Sequence, residues 1–100
     1  MPTRDVQLIA TLTDSDGNPL SGKTINFYYR ASGTTTWTNA GSATTDTNGQ
    51  ATVTVTLDVP GTYDFRAEFP GDDQYEPSSA EVTNQVIKAK TILSLQVQPL

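Results

Sequence analysis

Apolar and polar residues alternate one for one along most of this chain, and a period of two restricts it to strands with one wet face. The alternation is clearest in Gln50–Leu57, where Ala51, Val53, Val55 and Leu57 are separated by Thr52, Thr54 and Thr56. Asp5–Thr13 places Val6, Leu8, Ala10 and Leu12 on one face. Thr24–Arg30 places Ile25, Phe27 and Tyr29 opposite Asn26, Tyr28 and Arg30. Thr62–Phe69 sets Tyr63, Phe65, Ala67 and Phe69 inward against Asp64, Arg66 and Glu68, and Ser79–Ile87 closes the set. Thr36–Thr45, which contains Trp37, is weaker and reads as an edge strand. No segment carries a helical stripe. Thr supplies 17 of the 100 residues, and its β-branched, hydroxyl-bearing side chain suits a half-exposed strand. The predicted core is Leu8, Leu12, Ile25, Phe27, Val53, Val55, Tyr63 and Phe65.

Turn chemistry separates these strands. Asp14-Ser15-Asp16-Gly17-Asn18-Pro19 and Asp58-Val59-Pro60-Gly61 are turns, and Asn48-Gly49 supplies backbone at positive φ. Short strands at this spacing make a sandwich or a barrel. One hundred residues build one core, not two.

Composition excludes several functions. With six basic residues against eleven acids and a net charge of −5, the chain has no patch to neutralise nucleic-acid phosphates or to bind an anionic membrane. The absence of Cys and His excludes thiolate and imidazole metal sites and His-based triads. No nucleophile elbow or phosphate-cradling loop occurs, so the expectation is that this is not an enzyme. Neither a signal peptide nor an apolar run long enough for a spanning helix is present, and no membrane insertion is expected. The chain reads as an excised fragment whose export signals lie elsewhere.

Several pieces occur in an order that resembles a known family. They are Leu12-Thr13-Asp14 with Gly17-Asn18-Pro19-Leu20-Ser21-Gly22-Lys23-Thr24-Ile25, the aromatic Phe27-Tyr28-Tyr29, and Thr36-Trp37-Thr38. Ala43-Thr44-Thr45-Asp46-Thr47-Asn48-Gly49-Gln50-Ala51 and Pro60-Gly61-Thr62-Tyr63 follow, then Phe69-Pro70-Gly71-Asp72-Asp73-Gln74-Tyr75. From Leu12 to Ala80 the chain is similar to the bacterial and archaeal Ig-like (Big-type) repeats of cell-surface proteins. The resemblance implies an immunoglobulin-like antiparallel β-sandwich of about seven strands. It also implies an extracellular, cell-surface module that acts as a structural spacer or adhesive stalk among neighbouring Ig-like repeats of the same chain. On that frame, residues 1–90 are the domain. Residues 91–100 are a tail whose Thr91-Ile92-Leu93-Ser94-Leu95-Gln96-Val97 looks like the opening strand of a following repeat. A strand that should precede Asp5–Thr13 is missing.

Three sites follow from this arrangement. Tyr63, after Pro60-Gly61-Thr62, takes the position of a tyrosine corner, with its hydroxyl on nearby backbone. Tyr28, Trp37 and Arg66, with Arg30 close by, are candidates for stacking on a sugar of a surface polysaccharide, and a protein partner is the alternative. If the strands run up and down, the loops Asp14–Lys23, Asp46–Gly49 and Pro70–Ser78 meet at one pole. They would gather Asp14, Asp16, Asp46, Asp72, Asp73 and Glu76, candidate ligands for a weak calcium site. The competing reading is that these acids only make turns. No other cofactor is expected. Arg30 and Asp64 point outward on adjacent strands and should pair across them, a contact worth about 0–1 kcal/mol where exposed. Polar outward faces predict a monomer.

Overall fold

The structure, a computed structural model, describes residues 2–100. Its six strands are β1 (Thr3–Thr11), β2 (Thr24–Ala31), β3 (Thr38–Thr44), β4 (Gln50–Asp58), β5 (Gly61–Phe69) and β6 (Ser78–Ile87). They form two antiparallel sheets, β1-β4 and β3-β2-β5-β6, packed face to face as an Ig-like sandwich. Six strands are present among the described residues where about seven were expected, and β1 has an unpaired outer edge.

The alternation places the side chains as expected. Val6, Leu8 and Ala10 of β1 stand opposite Val55, Val53 and Ala51 of β4, so one register turns all six inward. Phe27, 1 % exposed, packs with Leu12, Ile25, Ala51 and Phe69 towards one pole, while Val55, Leu57 and Phe65 fill the other half. Leu8, Val53 and Tyr63, expected in the core, are only partly buried and pack at its margin. Leu8 lies at the open side of the sandwich, where β1 has no outer neighbour among the described residues. Val59, in the turn between β4 and β5, is fully buried. Its N–H bonds the carbonyl of Pro2, which tucks the turn under the chain's first described residue.

β1, β3 and β5 all end at one pole, where three loops interlock. The Leu12 N–H donates to the Gly49 carbonyl at 2.7 Å, and the Gly22 N–H donates to the Thr45 carbonyl at 2.9 Å. Thr45 is buried between two of these loops. Its Oγ1 accepts from the Lys23 N–H and donates to the Leu20 carbonyl, so both hydrogen-bonding capacities of the hydroxyl are used. The inference that three loops share a pole holds.

Candidate functional site

The acidic pole is built from turns that consume their own carboxylates. Asp14 Oδ1 accepts from the N–H groups of Asp16 and Asn18, and Asp14 Oδ2 accepts from the Asn18 side-chain amide. Asp46 Oδ1 accepts from the N–H groups of Asn48 and Gln50. Asp72 Oδ1 accepts from Gln74 and Tyr75, and its Oδ2 pairs with Lys23 Nζ at 2.5 Å. Lys23 also lies over the Tyr75 ring, 5.2 Å from its centroid. The Asn18 backbone N–H first, and its side chain next, hold the Asp14 carboxyl below the ordinary range, and the Lys23 ammonium does the same to Asp72. Asp16, Asp73 and Glu76 point into solvent. Among the described residues no group of three or more acids is arranged to hold a metal ion. Each loop's first acid therefore serves the backbone, as Asp does in Asx-type turns.

The outer face of the four-stranded sheet carries the aromatic candidates. Trp37 lies just before β3, and the Arg30 guanidinium stacks on its ring at 4.1 Å. Tyr28 stands opposite Arg66 across the β2–β5 pair. Arg66 is itself clamped, with Nε on Glu68 at 2.6 Å and Nη1 on Glu81 at 2.5 Å. The three residues thus share a face, but one side of the indole is covered and the guanidinium of Arg66 is engaged.

Arg30 and Asp64 pair across β2 and β5 as expected, with Nε and Oδ2 2.9 Å apart, but the condition of exposure is not met at the carboxylate. Asp64 is buried. The β5–β6 register shifts between Tyr63 and Phe65, and Asn84 of β6 takes a φ of 56°, a left-handed conformation that Asn tolerates. This bulge turns the Asn84 N–H onto Asp64 Oδ1, which also accepts from Ser32 Oγ at 2.7 Å. Strand parity gives the face a residue points to, not what stands over it, and the bulge was not legible in the spacing. The Asn84 N–H, then the Ser32 hydroxyl, then Arg30 hold the Asp64 carboxyl down to about 2.

A pH dependence follows. Because the folded-state value is depressed, the stabilisation is present above the ordinary 3.8 and is lost as pH falls through about 2. Thermal midpoints followed across that window should fall steeply for the native chain and less steeply for Asp64→Asn, which keeps the shape but cannot ionise. Parallel slopes would mean that Asp64 carries no linkage.

At the opposite pole the Tyr63 hydroxyl donates to the Asp58 carbonyl at 2.6 Å. Its ring lies so close to Gly61 that a Cβ there would come within 2.7 Å of it. This is the tyrosine corner the sequence predicted, a structural device holding the turn into β5.

Comparison with known proteins agrees with this frame. The family model described as "Bacterial Ig-like domain (group 1)" matches residues 3–87. The inverse autotransporter adhesin YeeJ of Escherichia coli (strain K12) is 40 % identical over 62 residues, which is 62 % of this chain. The chain spans 3 % of that protein's length. No solved structure gives a significant match. With six strands in two antiparallel sheets, a tyrosine corner, and a family match covering every strand, the chain belongs to the bacterial Ig-like domain (group 1) family.

Proposed function

We propose that this chain is a non-catalytic structural and adhesion-type module of a larger cell-surface or secreted protein, working beside neighbouring Ig-like repeats. The observation that carries the reading is that its chemistry-bearing side chains are spent on the framework. Asp14, Asp46 and Asp72 hold turns, Asp64 ties β2, β5 and β6 together, and Tyr63 pins a corner. The family match and the adhesin relative support a place on the cell surface. An antibody raised against the chain should label intact cells of the source organism, and should lose its target when those cells are shaved with protease. Labelling only after lysis would overturn the surface assignment.

Two ligand readings compete with a purely mechanical role, and each has a direct test. Thermal melts in chelator and in several-millimolar Ca²⁺, at fixed ionic strength, should superimpose, because the pole's best acids already accept from backbone. A ligand present at ten times its dissociation constant stabilises by about 1.4 kcal/mol, enough to move the midpoint of so small a domain by several degrees. Such a shift would make the acidic pole a calcium site. Trp37 fluorescence titrated with surface polysaccharides should likewise stay flat, since Arg30 covers one side of the indole. A saturable change would make Tyr28, Trp37 and Arg66 a glycan platform.

A further inference from the structure

One turn of the three-loop pole carries a reactive pair that the framework does not use. The chain has five Asn residues, and only Asn48 precedes a glycine. Asn18 precedes Pro19, which has no N–H, while Asn26, Asn39 and Asn84 precede Phe27, Ala40 and Gln85, whose side chains crowd the following nitrogen. At Asn48 the partners are adjacent and unobstructed. The Gly49 backbone nitrogen and the Asn48 side-chain carbonyl carbon can close a five-membered ring, because Gly has no Cβ to hinder the approach. Asn48 is exposed, so water reaches that ring once it forms.

The native turn keeps the pair from reacting. The Gly49 N–H donates to the Asp46 carbonyl at 2.9 Å, so the nitrogen that must attack is held in a hydrogen bond. Asp46 Oδ1 accepts from the Asn48 N–H at 2.8 Å and from the Gln50 N–H at 3.0 Å, which braces the backbone on both sides of Gly49. The Gly49 carbonyl accepts from the Leu12 N–H at 2.7 Å, and a Cβ on Gly49 would stand 2.5 Å from the Leu12 carbonyl oxygen. Gly49 is therefore buried although Asn48 is not. Bringing Asn48 Cγ over the Gly49 nitrogen requires the peptide between them to rotate. That rotation costs the bond to Asp46 and draws Gly49 away from Leu12, so it needs a local opening of the pole.

We propose that Asn48 is a deamidation site gated by the three-loop pole: inert while the pole is closed, and converted to an acid when the pole opens. The Gly49 nitrogen gives its proton to solvent and bonds to Asn48 Cγ. The Cγ–Nδ2 bond breaks, and Nδ2 takes a proton back from solvent and leaves as ammonia. Water then adds to one of the two carbonyls of the cyclic imide and opens it. Opening on one side gives Asp at position 48. Opening on the other gives isoaspartate, whose main chain runs through the side-chain carbons and is one methylene longer. Water is the sole co-reactant, and nothing is oxidised or reduced. The longer turn cannot set Gly49 against both Asp46 and Leu12, so the bonds that join it to the loop after β1 do not re-form. A transient opening of the pole thus becomes a permanent one. This proposal goes beyond the surface-module reading and does not depend on where the chain resides.

Peptide mapping by mass spectrometry tests it, on the full chain incubated at neutral pH beside a synthetic peptide of residues 44–52 as the unstructured reference. The folded chain should convert Asn48 at least about tenfold more slowly than the peptide, because the rate scales with the fraction of molecules open at the pole. Asp46→Ala removes the brace but keeps the Asn48-Gly49 step, and should react several-fold faster than the native chain. Asp46→Asn keeps a side-chain acceptor and should stay near the native rate. Phe65→Ala, weakened in the other half of the core, should also keep the native rate, and Val55→Ala replaces it if circular dichroism shows it unfolded. A native chain as fast as the peptide would overturn the proposal. So would a Phe65→Ala chain accelerated as much as Asp46→Ala, which would make global unfolding the gate. Hydrogen exchange on the isoaspartyl fraction, separated by ion exchange, tests the consequence. The Leu12 and Gly22 amides should exchange faster there, and at native rates in Asn48→Asp, which has the charge without the added methylene. Native rates in the isoaspartyl fraction would overturn the permanent opening.

Discussion

Phe27→Ala is expected to lower the unfolding free energy by about 3–5 kcal/mol, measured as the shift of the urea midpoint at constant slope. The ring is 1 % exposed and belongs to the cluster with Leu12, Ile25, Ala51 and Phe69. These neighbours come from β2, β4, the end of β5 and the loop after β1, so the ring bridges the two sheets. Removing it leaves a void that backbones tied into two ladders cannot collapse to fill. Phe65→Ala should fall at the lower end of the same range. That ring is 8 % exposed against 1 % for Phe27, so its cavity joins solvent more readily at the open side of the sandwich between β1 and β6, which both rings line. Equal losses would mean that the two cavities are equally enclosed. A loss at Phe27 under about 1 kcal/mol would mean that the ring does not bridge the sheets.

The contrast between these two rings shows where sequence reading succeeds. Alternation put Ile25 and Phe27 inward, and in β4 it sorted Ala51, Val53, Val55 and Leu57 from the intervening threonines, because a half-buried sheet writes its face into every second residue. Turn chemistry located the Asp46–Gly49 turn and brought three loops to one pole. The tyrosine corner was legible for the same local reason. Burial that depends on a third element was not. Thr45 looks like any other strand threonine, yet the loop between β1 and β2 folds over it and takes both of its hydrogen bonds. Asp64 points outward by parity, yet the bulge at Asn84 closes above it. Val59 sits between Asp58 and Pro60 in what reads only as a turn, yet it is fully buried. Each of these three depends on a contact far along the chain, which periodicity over a window of ten residues does not contain.

The candidate binding sites follow the same division. The sequence pointed to Tyr28, Trp37 and Arg66 on the strands and to six acids in the loops. It could not show that Arg30 stacks on Trp37, that Glu68 and Glu81 hold Arg66, or that Asp14, Asp46 and Asp72 are committed to their own loops. Residue type gives the capacity for chemistry. Whether that capacity is free depends on partners that only the fold supplies, and here the fold directs most of it into holding loops and strands in place.

Gly49→Ala is expected to cost about 2–5 kcal/mol and to loosen the three-loop pole as a unit. Two effects add. Gly49 has a φ of +76°, where an L-residue with a Cβ pays roughly 1–2 kcal/mol. Its missing Cβ would also lie 2.5 Å from the Leu12 carbonyl oxygen and 3.1 Å from Pro19 Cβ. Backbone must then move, and overpacking of that kind adds about 1–3 kcal/mol. The displaced atoms matter because the Leu12 carbonyl accepts from the Leu20 N–H while the Leu12 N–H donates to Gly49 itself, so one shift strains both bonds. Gly17→Ala provides the control. Gly17 has a φ of +87° but nothing within 4 Å of a Cβ placed there, so it should lose only the conformational part, about 1–2 kcal/mol. The difference between the two urea midpoints, converted through a common slope, isolates the steric contribution at Gly49. Hydrogen exchange should show where the excess falls: faster exchange at the amides of Leu12, Leu20 and Gly22 in Gly49→Ala, and native rates there in Gly17→Ala. If both variants lose the same stability, the approach of Gly49 to Leu12 is slack, and the pole is held by its Asp-capped turns alone.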